Sequence, residues 1–387
     1  MKRRTFYFSL MQGFCFTGAC LVYSYTERLL LHHGFSTGAI GAILAVSYLF
    51  AMVFQPLLAA AADRGRRVTL RLGIALTALL SVALAASALI GKNAPVLFAA
   101  MIGALSAVSL TAQPLINATG FHYINRGLDL DYSFARGVAS VAYALASLLL
   151  GALAAKNIDS MLWVFLAAQT GLLLTAIFFA PHRESVTVRE TGGSLRNVFS
   201  RYPKFVLFCV GNLVLIVPHM IINSYLASIT NVTGGDMSVM IAIAALVEFP
   251  AMTAYSHIRK RIPDCVLLVA SASVYLLKTG LLLAAAFLSL GAWAAYVSSA
   301  LQMLCYAIFV PAASYYANDA VSDSDRVKGQ MLLTEAGLAA GVFSMLLGGL
   351  SIERFGVGTT LILCEILVAA GVFIVWLGVR RGKQSIS

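Results

Sequence analysis

The sequence predicts an all-α polytopic membrane protein whose twelve transmembrane helices form two pseudo-symmetric six-helix bundles. Three observations lead to this prediction: the composition, a series of apolar runs, and one polar segment near the middle of the chain. Of the 387 residues, 60% are hydrophobic and only 11% are charged, and the mean hydropathy is +0.87. A soluble domain of this size could not bury so much apolar surface. Lipid is therefore the expected solvent for most of the chain.

The apolar runs are each long enough to cross about 30 Å of hydrocarbon. They predict segments 1 to 12 at residues 5–27, 36–61, 70–90, 95–117, 133–155, 160–180, 205–229, 237–257, 265–288, 292–317, 329–350 and 359–379. No small-residue cleavage site follows the first run, so segment 1 is predicted to be an uncleaved helix and not a signal peptide.

Basic residues predict the orientation in the membrane. Loops on one side contain most of the lysines and arginines, whereas the opposite loops contain only Arg28, Lys92, Lys156 and Arg354. By the positive-inside rule, the chain is predicted to cross the cytoplasmic (inner) membrane many times, with both termini in the cytoplasm. The net charge of +11 is explained by this bias, and no nucleic-acid partner is expected.

The polar segment 181–204 predicts the domain organisation, because it separates six apolar runs from six. We expect an N-terminal bundle over residues 1–180, a cytoplasmic linker over 181–204 and a C-terminal bundle over 205–387. Prolines in equivalent segments are 194 and 197 residues apart, which favours an internal duplication, although chance would also explain it. These prolines are Pro56 with Pro250, and Pro114 with Pro311.

A charged motif occupies the loop between segments 2 and 3. Its sequence, Asp63-Arg64-Gly65-Arg66-Arg67, resembles the signature G-x-x-x-D-[RK]-x-G-[RK]-[RK] of the major facilitator superfamily. It departs from the signature by an alanine in place of the first glycine and by one missing spacer residue. An acidic residue and basic neighbours at helix ends can form contacts that hold one access state. Asp63, Arg64, Arg66 and Arg67 are therefore predicted to form a conformational gate; the alternative is an ordinary positive-inside loop.

Further motifs resemble the oligosaccharide:proton symporter branch of that superfamily, along essentially the whole chain. They are Phe54-Gln55-Pro56-Leu57, Tyr132-Ser133-Phe134-Ala135-Arg136 and Glu248-Phe249-Pro250. The resemblance implies that Arg136 and Tyr143 bind the substrate, and that Glu248 and Lys278 belong to the binding and coupling network. The family's acidic ligand in segment 4 is replaced near Asn117, and its His and Glu in segment 10 are replaced by residues near Tyr306.

Polar residues at helical spacing indicate a cavity independently of the resemblance. Segment 5 presents Arg136, Ser140 and Tyr143 on one face, and such a stripe faces protein or water and not lipid. Segment 7 shows the same pattern, although His219 there could simply be hydrogen-bonded. The predicted substrate ligands are Arg136, Tyr143, Asn117, Gln113, His219, Asn223, Tyr23 and Gln302.

Charged residues inside the apolar runs require partners, because each unpaired charge costs about 2.5–3.5 kcal/mol or more in the membrane. Glu248 is predicted to carry the proton and to lie at a depth where it can pair with Lys278, and Glu335 is a further coupling residue. The alternative for Glu248 and Lys278 is a static ion pair.

No nucleotide-binding loop, nucleophile elbow or metal-ligand spacing is present. The sequence therefore predicts no enzyme, cofactor or metal site, and instead a monomeric proton-coupled symporter of a sugar, nucleoside or aromatic acid. Two alternatives stay open: a proton-driven exporter of sugars or amphipathic compounds, and a non-transporting membrane sensor or accessory protein.

Overall fold

A computed structural model describes residues 3–64, 69–180, 195–288, 290–322 and 325–380, and within these ranges it is helical without strands. The α-helices are α1 (Arg3–Cys20), α2 (Thr26–His32), α3 (Thr37–Arg64), α4 (Leu70–Ile90), α5 (Pro95–Asn125), α6 (Tyr132–Ala154), α7 (Met161–Phe179), α8 (Leu195–Arg201), α9 (Pro203–Ser224), α10 (Leu226–Thr233), α11 (Met237–Ile258), α12 (Asp264–Leu288), α13 (Ala292–Ala300), α14 (Tyr306–Asp319) and α15 (Arg326–Val379). A π-helical turn, Leu21–Tyr25, joins α1 to α2, and a 3₁₀ turn, Leu301–Met303, follows α13.

The described part of the chain contains eleven stretches long and apolar enough to cross a membrane. The last of them, Lys328–Val379, spans 52 residues, and Gly356 divides it with φ 80° and ψ 171°. We call residues 326–355 the first arm of α15 and residues 357–379 the second arm. The twelve predicted spans are thereby confirmed. Because an even number of spans returns the chain to its starting side, Arg3 and Arg380 share one side, called the terminal side, and the opposite side is called the far side.

Several helices differ from the predicted segments at their ends. Segment 1 continues to His32 instead of residue 27, and segment 4 continues to Asn125 instead of residue 117. Backbone hydrogen bonding continues past the apolar run that marks the lipid-facing part, so hydropathy underestimates the length of these helices. Segment 7 is broken at Tyr225, after which the chain resumes as α10. Segment 10 is broken between Ala300 and Tyr306.

Side-chain caps fix the starts of two helices that contribute to the central cavity. Asp131 accepts a hydrogen bond from the backbone N–H of Phe134 at 2.9 Å, which starts α6. Asp236 accepts one from the backbone N–H of Val239 at 3.0 Å, which starts α11. A capping carboxylate satisfies helix donors that have no partner inside the helix. These caps set the registers that place Arg136 and Glu248.

Helices from the two halves of the sequence pack closely on the far side. The α3 helix packs on α15, and α6 packs on α11. At the first contact Gly41 and Gly349 face each other, and at the second Ser147 donates a hydrogen bond to the Ser238 carbonyl oxygen at 2.9 Å. Small residues allow helix backbones in membranes to approach closely. The far-side end of the protein is therefore sealed between the halves.

The predicted conformational gate is only partly within the described chain. The backbone of Asp63 and Arg64 forms the end of α3, but their side chains lie outside the described residues, as do Arg66 and Arg67. The gate therefore stays a prediction. The predicted linker, 181–204, is described only from Leu195, where α8 begins. The domain boundaries likewise stay a prediction.

The close approach of α3 and α15 leads to a prediction about the free energy of unfolding. A Cβ at Gly349 would overlap the backbone carbonyl oxygen of Thr37 and lie 3.0 Å from the Cα of Gly41. Since neither backbone atom can move independently, Gly349→Ala should destabilise the protein by about 1–3 kcal/mol. Gly337→Ala is the matched control on the same arm, because a Cβ added at Gly337 would have no atom within 4 Å apart from its chain neighbours and the adjacent backbone of its own helix. Thermal unfolding in detergent measures both, and equal midpoints would contradict the packing described here.

Candidate functional site

A cavity of about 550 Å³ lies between the two halves of the sequence. Its volume is typical of sites for small organic molecules. The eight predicted substrate ligands all line it, as do the predicted coupling residues Glu248 and Lys278. Glu335 does not line it, although the two residues that precede it, Leu333 and Thr334, do. The polar faces predicted from helical periodicity thus meet in one cavity, and Glu335 is the one predicted coupling residue that does not line it.

Arg136 provides a positive charge on the wall formed by the N-terminal half. Its guanidinium carbon lies 4.3 Å from the centre of the Phe16 ring, and its Nη1 donates to the Ser140 hydroxyl at 3.4 Å. Among the described residues it has no carboxylate within ion-pair distance. The guanidinium can thus donate several hydrogen bonds to a bound molecule.

Tyr143 and Asn117 continue this wall with further hydrogen-bonding groups. The Tyr143 hydroxyl is 2.9 Å from the Ser24 hydroxyl. The side-chain oxygen of Asn117 accepts from Gln12 at 3.1 Å and from the Tyr132 hydroxyl at 3.0 Å. Because both bonds use the oxygen, they hold the amide while its NH₂ group stays available to a ligand.

Glu248 and Lys278 do not form the direct ion pair that their depth allowed. Gln302 lies between them: its Nε2 donates to Glu248 Oε1 at 2.9 Å, and its Oε1 accepts from the ammonium group of Lys278. Gln302 sits in the 3₁₀ turn that interrupts segment 10. An amide offers a donor at one end and an acceptor at the other, so it can satisfy both ions at once. We call these three residues the Glu248–Gln302–Lys278 bridge.

The bridge leaves Glu248 and Lys278 in different surroundings. Lys278 is only 4% exposed, whereas Glu248 is half-buried at the cavity wall. Gln302 engages one carboxylate oxygen of Glu248. The carboxylate can therefore exchange a proton with the cavity while the ammonium group keeps its acceptor.

His219 is placed by an aromatic stack and by one hydrogen bond. Its ring stacks on Tyr306 with centres 4.6 Å apart, and the Asn223 amide nitrogen lies 3.0 Å from its Nε2. If that amide donates, Nε2 accepts and the neutral ring carries its proton on Nδ1, which has no partner among the described residues. The His219 ring lines the cavity, but Nδ1 itself is buried and is not exposed to a ligand in this state.

Sequence reasoning missed one feature of the site and one buried carboxylate outside it. Tyr306 was noted only as a replacement for a family residue, yet it forms the stacking face for His219. Glu27 lies at the end of segment 1 and is completely buried, with partners in the other half of the chain. The local sequence shows only an acidic residue before the apolar run Leu29-Leu30-Leu31, which does not indicate a partner.

The bridge predicts that Gln302 contributes to stability. Gln302→Leu removes the partner of a buried ammonium group and of a carboxylate, which should lower the free energy of unfolding by about 1–3 kcal/mol. Gln113→Leu is the matched control, because Gln113 also lines the cavity but makes no side-chain hydrogen bond to described residues. Both are compared by thermal unfolding in detergent. An unchanged midpoint for Gln302→Leu would rule out the bridge.

Comparisons with known proteins identify the kind of protein that contains this cavity. The sequence matches the MFS_1 like family over residues 4–363. It is 26% identical over 362 residues to a maltose permease of Geobacillus stearothermophilus, covering 90% of this chain and 88% of the permease.

Solved structures share the fold at low sequence identity. A crystal structure of a variant of the nucleoside transporter NupG has a TM-score of 0.81 at 15% identity, covering 95% of this chain and 97% of that one. A D-xylose-proton symporter has a TM-score of 0.74 at 13% identity, with 95% and 96% covered. The chain thus belongs to the MFS_1 like family and is a multi-pass membrane transporter, not an enzyme.

Proposed function

We propose that this transporter carries a small organic solute together with a proton across the cytoplasmic membrane, as a monomer with both termini in the cytoplasm. The observation that carries the proposal is the Glu248–Gln302–Lys278 bridge in the wall of a central cavity. Ionisable residues inside a membrane transporter commonly mark a proton or ion pathway.

The arrangement of contacts supports an inward-facing state. On the far side, the halves meet at Gly41 and Gly349. The cavity lining continues toward the terminal side as far as Gln330, in the first turns of α15, and Gln55, in the terminal-side half of α3. With the termini in the cytoplasm, the cavity would communicate with the cytoplasm in this state. Rocking of residues 1–180 against 205–387 about linker 181–204 would then expose it to the outside.

Glu248 is suited to couple the proton to this movement. An ionised carboxylate is unfavourable when the cavity closes around it and water is excluded. A proton removes that charge and leaves Lys278 without a balancing anion, but Lys278 is already buried and hydrogen-bonded to Gln302 before the cavity closes, so closure adds little to this cost. Passage through the closed state is therefore favoured when Glu248 is protonated. Glu335, which does not line the cavity, would act only through the movement of α15.

The other wall of the cavity is suited to bind the solute. Arg136 offers several N–H donors, Asn117 and Gln113 offer amide groups, and the ring of Tyr143 lies beside them. Together with the stacked His219 and Tyr306 these groups suit a hydroxylated ring or an aromatic acid. The relatives' names, maltose permease, nucleoside transporter and xylose-proton symporter, make sugars and nucleosides the first compounds to test.

Transport measurements test the coupling directly. We expect purified protein in liposomes, with a pH-sensitive dye inside, to acidify the lumen when one compound of a panel of sugars, nucleosides and aromatic acids is added. Glu248→Gln should abolish this proton entry, because an amide cannot accept the proton. Solute entry without acidification, or acidification by the Glu248→Gln variant equal to that of the unmodified protein, would contradict proton symport.

Solute exchange separates the roles of Glu248 and Arg136. In counterflow, where solute exchanges without net proton movement, Glu248→Gln should keep activity while losing proton-driven accumulation. Arg136→Gln should lose both, because several hydrogen bonds to the solute disappear. Radiolabelled counterflow and accumulation are measured on the same liposomes. Equal loss of counterflow in both variants would refute the division of roles.

A further inference from the structure

A second buried carboxylate, Glu27, lies outside the bridge, in the first turn of α2. Glu27 is fully buried, and its hydrogen bonds to described residues all come from the other half of the chain. The Ser228 hydroxyl donates to it at 2.5 Å, and the backbone N–H groups of Ala227 and Ser228 donate at 3.1 and 3.4 Å. A side chain of the N-terminal half thus occupies the start of α10 in the C-terminal half.

The contact favours an ionised carboxylate. The first turn of α10, which begins at Leu226, has backbone N–H groups without partners inside the helix, and its dipole places partial positive charge there. Among the described residues Glu27 forms no ion pair. The titratable group near it at the junction of α9 and α10 is Tyr225, whose hydroxyl donates to the Met345 carbonyl oxygen at 2.7 Å. On its own helix the adjacent charged group is Arg28, which lies near Asp236 of the α10–α11 loop.

A reciprocal contact exists on the far side, with the halves exchanged. Glu353, in the first arm of α15, accepts from the backbone N–H of Gly38 at 2.7 Å and from the Ser36 hydroxyl at 3.1 Å, at the start of α3. Unlike Glu27, Glu353 is exposed to solvent. Each half therefore places a carboxylate on a helix start of the other half, and both contacts require a closed far side.

We propose that Glu27 is a proton-binding site that controls the opening of the far side. When ionised, Glu27 accepts the three hydrogen bonds and holds α10 against α2. When a proton adds to the oxygen that faces Ser228, that oxygen can donate to the Ser228 hydroxyl, but the carboxyl group loses the negative charge that strengthens all three hydrogen bonds, so the contact weakens. The open state, in which the carboxyl group meets water, is then favoured.

This role differs from that of Glu248, and it rests on the proposed alternating access. Glu27 binds its proton from the far side when that side opens, and returns it to the same side when the contact forms again. It therefore carries no proton across the membrane. Loss of the Glu27 carboxylate should change the pH dependence of opening and leave the number of protons transported per solute unchanged.

Cysteine labelling from the far side tests the proposal. A reporter cysteine replaces Met240, which lines the cavity and is 2% exposed, in a background whose six native cysteines are alanine. A membrane-impermeant maleimide is added to right-side-out vesicles, whose orientation is checked by a C-terminal tag that is inaccessible from outside. Each labelling rate is divided by the rate for unfolded protein at the same pH, which corrects for the reactivity of the thiol itself. We expect the normalised rate to rise roughly tenfold as the external pH falls from about 7.5 to 5.5, the change expected from loss of a charge-assisted hydrogen bond.

Variants decide whether Glu27 is responsible. Glu27→Gln should label rapidly at every pH. Glu353→Gln, the exposed counterpart, should keep the pH dependence, and Ser228→Ala, which leaves the acid in place, should shift the rise to higher pH. Glu248→Gln should also keep the pH dependence, so failure of proton symport would not resemble failure of this proposal. A pH-independent rate in the unmodified protein, or an unchanged rise in Glu27→Gln, would overturn it.

Discussion

The constraint on which the structure depends is that an ionised side chain inside a membrane must find hydrogen-bonding partners within the protein. The Glu248–Gln302–Lys278 bridge meets this constraint through one amide that joins an anion to a cation. Its position follows from a break in segment 10, where the 3₁₀ turn Leu301–Met303 brings Gln302 to the cavity wall. Without the bridge, a buried ammonium group and a carboxylate would each lie in a poorly hydrated site.

The same constraint links the cavity to the closure of the far side. Within the described part of the chain, Glu27 accepts hydrogen bonds solely from donors of the other half, so separation of the halves must replace those donors with water. The glycine contact between α3 and α15 permits the close approach that keeps water away. Two carboxylates thus depend on the access state, one facing the cavity and one in the far-side seal.

Much of this arrangement could be predicted from the sequence, because apolar length and helical spacing are local properties. They identified the twelve spans and placed Arg136, Tyr143 and His219 on cavity-facing stripes. The direct contact between Glu248 and Lys278 that their depth allowed is not formed, because depth along two helices gives no information about a third side chain between them. Glu27 was missed because its donors are about 200 residues away in the chain, where no local pattern signals a partner. The helix breaks at Tyr225 and near Gln302 were also missed, because both lie inside continuous apolar runs.

The most direct test of the bridge is a double-mutant cycle on the free energy of unfolding in mixed micelles, with Glu248→Gln, Lys278→Met and the combined variant. Because Gln302 joins the two ions, removing either charge leaves the other without its balance, whereas removing both does not. The expected result is a double variant more stable than the sum of the single effects by about 0.5–3 kcal/mol. Additive effects would show that Glu248 and Lys278 act independently and would contradict the bridge.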